Sequence, residues 1–143
     1  MTIQRILNDK GAGVIAIAAG QTVTQAIKVM DKQRIGALVV TGAGDGCQGI
    51  FTERDVTRAL AQRGAAILDE PVAKHMTERP QSIAPQTDVD AAMEIMTEKR
   101  FRHLPVMEND ALCGIVSIGD LVNYRIHQTE MEADALKQYI ATG

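Results

Sequence analysis

The sequence is poor in aromatic residues and has no excess of positive charge. Tryptophan is absent, tyrosine and phenylalanine occur twice each, and 18 Asp and Glu outnumber 15 Lys and Arg, which gives a net charge of −3. A groove that follows a nucleic-acid backbone needs clustered cations, often with aromatic side chains between them. The sequence has no such Lys/Arg cluster. We therefore expect no nucleic-acid partner.

Cysteine and histidine are also scarce, and they form no metal or redox motif. Cys47 and Cys113 lack CxxC spacing, and His75, His103 and His127 lie at no recognised ligand spacing. We expect no metal, and we expect the thiols to be reduced, as is usual in a cytoplasmic protein.

Long hydrophobic runs are missing as well. A helix that spans a membrane needs roughly 18 consecutive apolar residues, and the longest comparable run here, residues 14–19, is far shorter and follows Asp9. This run predicts a buried strand and not a leader peptide. We therefore expect a cytoplasmic protein without a membrane partner.

What the sequence does contain is an internal repeat. GIFTERDV at residues 49–56 recurs as GIVSIGDL at residues 114–121, and each copy follows a similar helical pattern of apolar residues. A unit of this length is marginally stable alone, so we expect two halves that pack as one module. The predicted division is a first repeat at residues 1–66, a second repeat at residues 67–125 and a C-terminal helical extension at residues 126–143.

Hydrophobic periodicity and turn signals predict an α/β fold in which helices cover small sheets. Thr22 and Gln25 form a capping-box pattern, and Thr87 and Asp90 mark the start of the corresponding helix. Helices are predicted at residues 22–33 and 52–61. A final helix is predicted to start at residue 117 or 118, and residues 124–140 are predicted to extend it. The predicted strands are residues 37–41, 47–51, 103–107 and 111–117, with a short helical segment at 71–76 and a glycine-rich turn at 41–46.

Each repeated motif ends where a strand gives way to a helix. Thr52 and Ser117 can cap these helices, whose first N–H groups also favour a phosphate oxygen. Asp55 and Asp120, three residues later, offer carboxylates that suit the two hydroxyls of a ribose. Both pairs also fit a capping box that only starts a helix. Recurrence of Asp in both copies favours the sugar site, although capping and ligand binding can coexist.

With its motifs GIFTERD, GIVSIGD and FRHLPV at residues 101–106, the chain resembles the tandem CBS-domain family, named after cystathionine β-synthase. The resemblance covers about residues 1–125. It implies two βαββα-like CBS repeats packed with pseudo-two-fold symmetry into one module, adenosyl ligands in the clefts between the repeats, and a homodimer.

The resemblance also implies roles for individual residues. Asp55 and Asp120 would bind ribose, Thr52 and Ser117 would contact phosphate or ribose, and the strand residues Ile15 and Ile83 would flank adenine.

The two sites should not be equivalent, because the repeats differ in charge. Arg54 lies inside the first motif, where the second has Gly119. Arg102 and His103 lie at the start of a strand of the second repeat, where the first has Gly36 and Ala37. These three side chains would neutralise one phosphate group or serve separate ligands.

The resulting hypothesis is a non-catalytic regulatory module that senses energy or redox state by binding an adenine nucleotide. AMP is the foremost candidate, with ADP, ATP or NAD(H) as alternatives, and the signal would pass to an unknown effector protein. A dimeric scaffold or protein-interaction module with weak or no nucleotide binding is the alternative. An enzyme is disfavoured because the sequence has no GxxxxGK[ST] loop and no nucleophile with a matching base.

Overall fold

A computed structural model of the protein describes residues 1–11, 13–42 and 47–142. Helices alternate with short strands, and two 3₁₀ segments, Gly64–Asp69 and Val72–Lys74, connect the third helix to the fourth strand. The predicted α/β fold with two repeats is confirmed. Most of the predicted glycine-rich turn, residues 43–46, lies outside the described residues. The elements are α1 (Ile3–Lys10), β1 (Ala16–Ala18), α2 (Val23–Gln33), β2 (Ala37–Thr41), β3 (Cys47–Thr52), α3 (Glu53–Arg63), β4 (Thr77–Glu78), α4 (Val89–Lys99), β5 (His103–Glu108), β6 (Ala111–Ser117) and α5 (Ile118–Thr142).

The strands form two sheets. In the first, β1, β2, β3 and β4 lie side by side in that order, with β1 parallel to β2 and the other pairs antiparallel. In the second, β5 and β6 pair antiparallel. The Ile83 amide donates to the Pro105 carbonyl at 3.0 Å, and the Met107 amide donates to the Ile83 carbonyl at 2.8 Å. Ile83 thus lies parallel to β5, as β1 lies parallel to β2.

Side-chain caps explain where the helices of the first repeat begin. Thr22 Oγ1 accepts from the Gln25 amide at 3.2 Å, and Gln25 Oε1 accepts from the Thr22 amide at 2.8 Å, which confirms the predicted capping box of α2. The predicted start of α4 at Thr87 and Asp90 is wrong. The helix begins at Val89 after Asp88, without a side-chain cap, because the Thr87 hydroxyl accepts from the Ala84 amide at 3.1 Å in the preceding turn.

The protein has two hydrophobic cores, one for each repeat, and each core includes residues from the part of the chain assigned to the other repeat. α1 packs through Ile3, Ile6 and Leu7 into the core of the second repeat, beside Val116 and Leu121. The Ile3 amide also donates to the Thr87 carbonyl at 2.9 Å. Conversely, residues 67 and 72, beyond the predicted boundary at residue 66, pack into the core of the first repeat. The two repeats are therefore interlocked at both ends, and the boundary stays a prediction.

Two predictions about the chain's hydrophobic and terminal segments have different outcomes. The strand predicted at residues 14–19 is only three residues long, and Ile17 is its one buried residue. The prediction of a buried strand is therefore wrong. The predicted continuation of the last helix is confirmed, since α5 runs for 25 residues from Ile118 to Thr142. Across the described ranges, every helix falls short of the length and apolar character that a membrane crossing requires.

Candidate functional site

A cavity of about 390 Å³ lies where the start of α3 faces the second repeat. It brings together five residues that the sequence predicted as ligand contacts. Its volume falls within the range of about 300–1,000 Å³ typical of small-molecule sites. The predicted contacts on its wall are Thr52, Arg54, Asp55, Arg102 and His103, and its other lining residues include Thr77, Pro80, Gln81 and Phe101.

Asp55 is buried on the wall of this cavity, with 3% of its surface exposed. Its Oδ2 accepts from the Thr52 amide at 2.9 Å, and Thr52 Oγ1 accepts from the Asp55 amide at 3.3 Å. Its Oδ1 accepts from the Thr77 hydroxyl at 3.3 Å. Oδ2 also accepts from the Thr52 hydroxyl at 3.3 Å, and Oδ1 also accepts from the Arg58 guanidinium at 3.5 Å. These donors occupy the roughly four lone-pair sites of the carboxylate, so a ligand diol would have to replace one or more of them. The structure confirms the cap at this side chain, and ligand binding by Asp55 stays a prediction.

The cations around Asp55 come from both repeats. Arg54, at the start of α3, donates a hydrogen bond to the main-chain carbonyl of Arg100 in the second repeat. Arg102 projects from the same segment and lines the cavity. Both lie beside the positive end of α3, where an anion is stabilised.

His103 behaves as a neutral side chain at the cavity wall. Burial lowers the pKa of His103 below its usual value, and the positive charges of Lys10 and Arg102 add to this, against the opposing effect of Glu53 and Asp120. An imidazole that is neutral near pH 7 offers one donor and one acceptor nitrogen. It therefore suits hydrogen bonding to a ligand better than charge neutralisation.

The second motif repeats the helix cap. Asp120 Oδ2 accepts from the Ser117 amide at 2.9 Å, and Ser117 Oγ accepts from the Asp120 amide at 3.1 Å. The same Oδ2 accepts from Lys10 Nζ at 2.7 Å, and this ammonium also donates to the Ile115 carbonyl at 2.9 Å. Burial works against ionisation of Asp120, but the hydrogen bonds from Lys10 and Ser117 outweigh it and hold the pKa of Asp120 below its usual value.

The first glycine of each motif lies against another element of the fold. A Cβ on Gly49 would lie 2.5 Å from the Thr77 carbonyl oxygen in β4, whereas a Cβ on Gly114 would lie 2.8 Å from a methyl group of Leu7 in α1. Real Cβ contacts are not this short. Gly49 faces backbone, so its position requires glycine, whereas a side chain at Gly114 would displace the flexible Leu7 side chain. β4 and α1 therefore take corresponding places over the first and the second motif.

A second, more open cavity of about 640 Å³ adjoins the first and shares Glu53, Arg102 and His103 with it. It brings Ser117 together with Arg102 and His103, beside α2 residues such as Met30 and Arg34. Neither cavity is lined by Asp120.

The two predicted adenine-flanking residues lie apart from both cavities. Ile15 is partly buried against the core of the first repeat, and Ile83 is buried in the core of the second. Their contact with adenine stays a prediction.

Three site residues were missed by the sequence analysis: Arg58, Thr77 and Lys10. Arg58 pairs with Asp55 at 3.5 Å from three positions along the same helix. Thr77, in β4, donates to Asp55, and Lys10, at the end of α1, donates to Asp120 from 110 residues away. The repeated motif itself carries no signal for Thr77 or Lys10. The glycine at its first position signals a close neighbour, but only the fold shows which segment that is.

Within the described ranges, no group of three or more His, Cys, Asp or Glu side chains is placed to hold a metal ion. Cys47 and Cys113 are both free thiols.

Comparisons with known proteins agree with this architecture. The family model described as CBS domain matches residues 12–62 and 72–127. The structure of the CBS-domain containing protein ATU1752 from Agrobacterium tumefaciens superimposes with a TM-score of 0.84 at 41% identity, covering 87% of this chain and 92% of that one. The CBS domain-containing protein CBSX3, mitochondrial, from Arabidopsis thaliana is 35% identical over 99% of this chain and 73% of its own length.

One similar structure was solved with a nucleotide. The CBS domain protein PAE2072 from Pyrobaculum aerophilum, complexed with AMP, has a TM-score of 0.73 at 26% identity and covers 84% of this chain and 89% of that one.

Proposed function

The chain belongs to the CBS-domain family and carries two CBS repeats, and we propose that it is a non-catalytic regulatory module that binds an adenine nucleotide between them. One observation carries the proposal above all others. The carboxylate of Asp55 is buried at the start of α3 and lies on the wall of a cavity to which both repeats contribute.

The chemistry of the cavity wall favours a ligand with a sugar and a phosphate group. Asp55 supplies the acceptor for the ribose hydroxyls, and the Thr52 hydroxyl lies beside it. Three arginines, Arg54, Arg58 and Arg102, face two acidic residues on this wall, Glu53 and Asp55. The excess of cations and the positive end of α3 favour an anion.

AMP is the first candidate, and ADP, ATP and NAD(H) are alternatives of the same chemistry. PAE2072, the relative solved with AMP, supports this order. The arginines on the cavity wall are exposed, so the wall can receive one, two or three phosphates.

A ligand in this cavity would regulate by contacting both repeats at once. Arg54 already joins α3 to the second repeat through the carbonyl of Arg100. A phosphate that attracts this guanidinium changes the contact between repeats, and its binding energy then biases their arrangement. An effector protein that prefers one arrangement would read energy or redox state from it in the cytoplasm. No chemical step on the nucleotide is part of this proposal.

A homodimer is part of the proposal, and the outer face of α5 supports it. Four apolar side chains are spaced four, ten and four residues apart on this helix, as on the seam of a coiled coil, and all of them are exposed. They are Val122, Ile126, Leu136 and Ile140.

Charge favours a second copy of the chain, in parallel orientation, as the partner of this seam. Beside it, Glu132 would meet Lys137 of a parallel copy, and Arg125 would meet Glu130. Arg125 also forms an ion pair with Asp90 of its own chain at 3.1 Å. In the dimer, Asp90 and the partner's Glu130 would therefore share this guanidinium. An antiparallel copy would instead bring Glu130 and Glu132 close to their own counterparts, which is repulsive.

A dimeric scaffold with weak or no nucleotide binding is the second candidate function, and the exposed face of α5 is the observation that favours it. The two candidates differ in whether the cavity binds a ligand tightly.

Equilibrium titration with AMP, ADP, ATP and NADH distinguishes them. A ligand at 100 times its dissociation constant stabilises the fold by about 2.7 kcal/mol, so thermal unfolding serves as a first screen. Arg102→Met should weaken binding of the preferred nucleotide, while Arg5→Met, an exposed arginine on α1, should leave it unchanged. Absence of any response, from a chain that unfolds cooperatively, would favour the scaffold.

A further inference from the structure

The two cavities between the repeats adjoin at a common wall, formed by Gly36, Glu53, Arg102 and His103, which line both of them. The Glu53 amide donates to the Gly36 carbonyl at 3.1 Å. A Cβ on Gly36 would lie 3.3 Å from Glu53 Oε2 and 3.4 Å from His103 Cε1. The nearest groups at this junction are therefore the ends of side chains, which can turn, and not backbone.

The second cavity differs from the first in charge and in apolar character. The first has more arginines than acidic residues. In the second, Arg34 and Arg102 are balanced by Asp31 and Glu53. Further phosphates would gain little from such a wall, whereas a neutral nucleobase suits a cavity that is apolar with a few polar groups. The apolar side chains that line it are Ile27, Met30, Ile35, Val56 and Ile118.

The starts of two helices lie on either side of the common wall. The start of α3 lines the first cavity, and the start of α5 lines the second through Ser117 and Gly119. The Ile118 amide, the first of α5, donates to the carbonyl of Arg102 at 2.8 Å and holds this helix start beside the wall. A diphosphate at the common wall would therefore lie near two positive helix ends and the guanidinium of Arg102.

We propose that the second cavity binds the second nucleoside of an adenine dinucleotide, whose adenosine half occupies the first cavity and whose diphosphate lies at the common wall. This inference rests on the proposed function, because the adenosine half uses the same cavity. AMP has no second nucleoside and leaves the second cavity unused. The second cavity thus distinguishes a dinucleotide from a mononucleotide.

Gly119 offers a way to block the second cavity without disturbing the fold. A Cβ on Gly119 would lie 3.6 Å from Ser117 Oγ, which is an ordinary contact, and the first repeat has Arg54 at the corresponding position. Gly119→Leu also replaces a residue that is unfavourable in a helix. Gly20→Leu is the matched control, because Gly20 is exposed, lines neither cavity and would have no atom within 4 Å of its Cβ.

The test compares NADH, AMP and ATP by isothermal titration calorimetry. We expect the wild type to bind NADH at least about tenfold more tightly than AMP, a gain that burial of about two methylene groups would supply. Gly119→Leu should abolish this gain and leave the affinities for AMP and ATP within about twofold of the wild type. Gly20→Leu should change none of the three. Circular dichroism and thermal unfolding confirm that each variant is folded.

The outcomes separate the two proposals. Equal affinities of the wild type for NADH and AMP, or an unchanged gain in folded Gly119→Leu, overturn the role of the second cavity. An equal loss of ATP and NADH affinity in Gly119→Leu also overturns it, because the cavity would then receive phosphates. In each of these cases binding of AMP leaves the nucleotide-binding function standing. A wild type that binds no nucleotide at all overturns both.

Discussion

Thr52 and Asp55 bond to each other in both directions across the first turn of α3, with the Asp55 carboxylate 2.9 Å from the Thr52 amide and the Thr52 hydroxyl 3.3 Å from the Asp55 amide. The same carboxylate lies on the wall of the cavity between the repeats. Helix stability and the proposed ligand binding therefore depend on one side chain. Substitutions at this position must separate the two effects.

Removal of the Asp55 carboxylate should destabilise the fold. Asp55→Ala leaves the Thr52 amide and the Thr77 hydroxyl without their acceptor in a buried setting, so we expect a loss of about 1–3 kcal/mol in the free energy of unfolding. Chemical denaturation measures this loss. Asp55→Asn should lose much less, and Asp134→Ala on the exposed part of α5 should lose nothing measurable. Equal stability of Asp55→Ala and wild type would show that the cap is dispensable.

Stability should fall as His103 becomes protonated. The pKa of His103 is lowered in the folded protein, first by burial, so the unfolded state takes up a proton at higher pH than the folded state. The contribution of neutral His103 is fully present above the unfolded pKa of about 6.5 and is lost as pH falls through the folded pKa.

We expect the unfolding free energy to decrease between pH 7.5 and pH 5.5, an interval chosen to span the unfolded pKa of about 6.5, and to decrease less in His103→Gln. His127→Gln, on the exposed part of α5, serves as the control. Identical slopes for His103→Gln and wild type would contradict the assignment.

The ion pair of Lys10 and Asp120 should stabilise the fold only where Asp120 is ionised. The pKa of Asp120 is lowered in the folded state, so its contribution is present above the unfolded pKa of about 3.9 and is lost as pH falls through the folded value. We expect Asp120→Asn to be less stable than wild type at neutral pH, with a difference that shrinks in acid. A difference that stays constant down to about pH 2, well below the unfolded pKa, would contradict this.

The seam on α5 should control the oligomeric state. Leu136→Asp places a charge on the seam and should shift the chain from dimer to monomer in sedimentation velocity at micromolar concentration. Met131→Asp, which is also exposed but lies off the seam, should leave the state unchanged. A wild type that is monomeric at these concentrations, or a dimer insensitive to Leu136→Asp, would contradict the proposed interface.

The sequence predicted the repeated elements well because their signals are local. The capping box of Thr22 and Gln25 and the run of apolar residues in β5 depend on neighbours a few positions away. The motif likewise predicted that Thr52, Arg54 and Asp55 act together. Arg102 and His103 join them on the cavity wall.

Long-range packing could not be predicted in the same way. Nothing near Lys10 indicates that α1 joins the core of the second repeat, and nothing near Asp120 indicates a partner 110 residues upstream. Thr87 shows the same limit at short range, since its hydroxyl serves the turn at Ala84 and not the helix that it was expected to start.

The central claim is that the Asp55 cavity binds an adenine nucleotide, and the most direct measurement is calorimetric titration of AMP into wild type and Asp55→Asn, with Asp134→Asn as the matched control. Loss of one charged hydrogen-bond acceptor should weaken binding at this site by about tenfold to a hundredfold. The account predicts this loss in Asp55→Asn alone. Equal AMP binding to all three folded proteins, or binding to none of them, would contradict it.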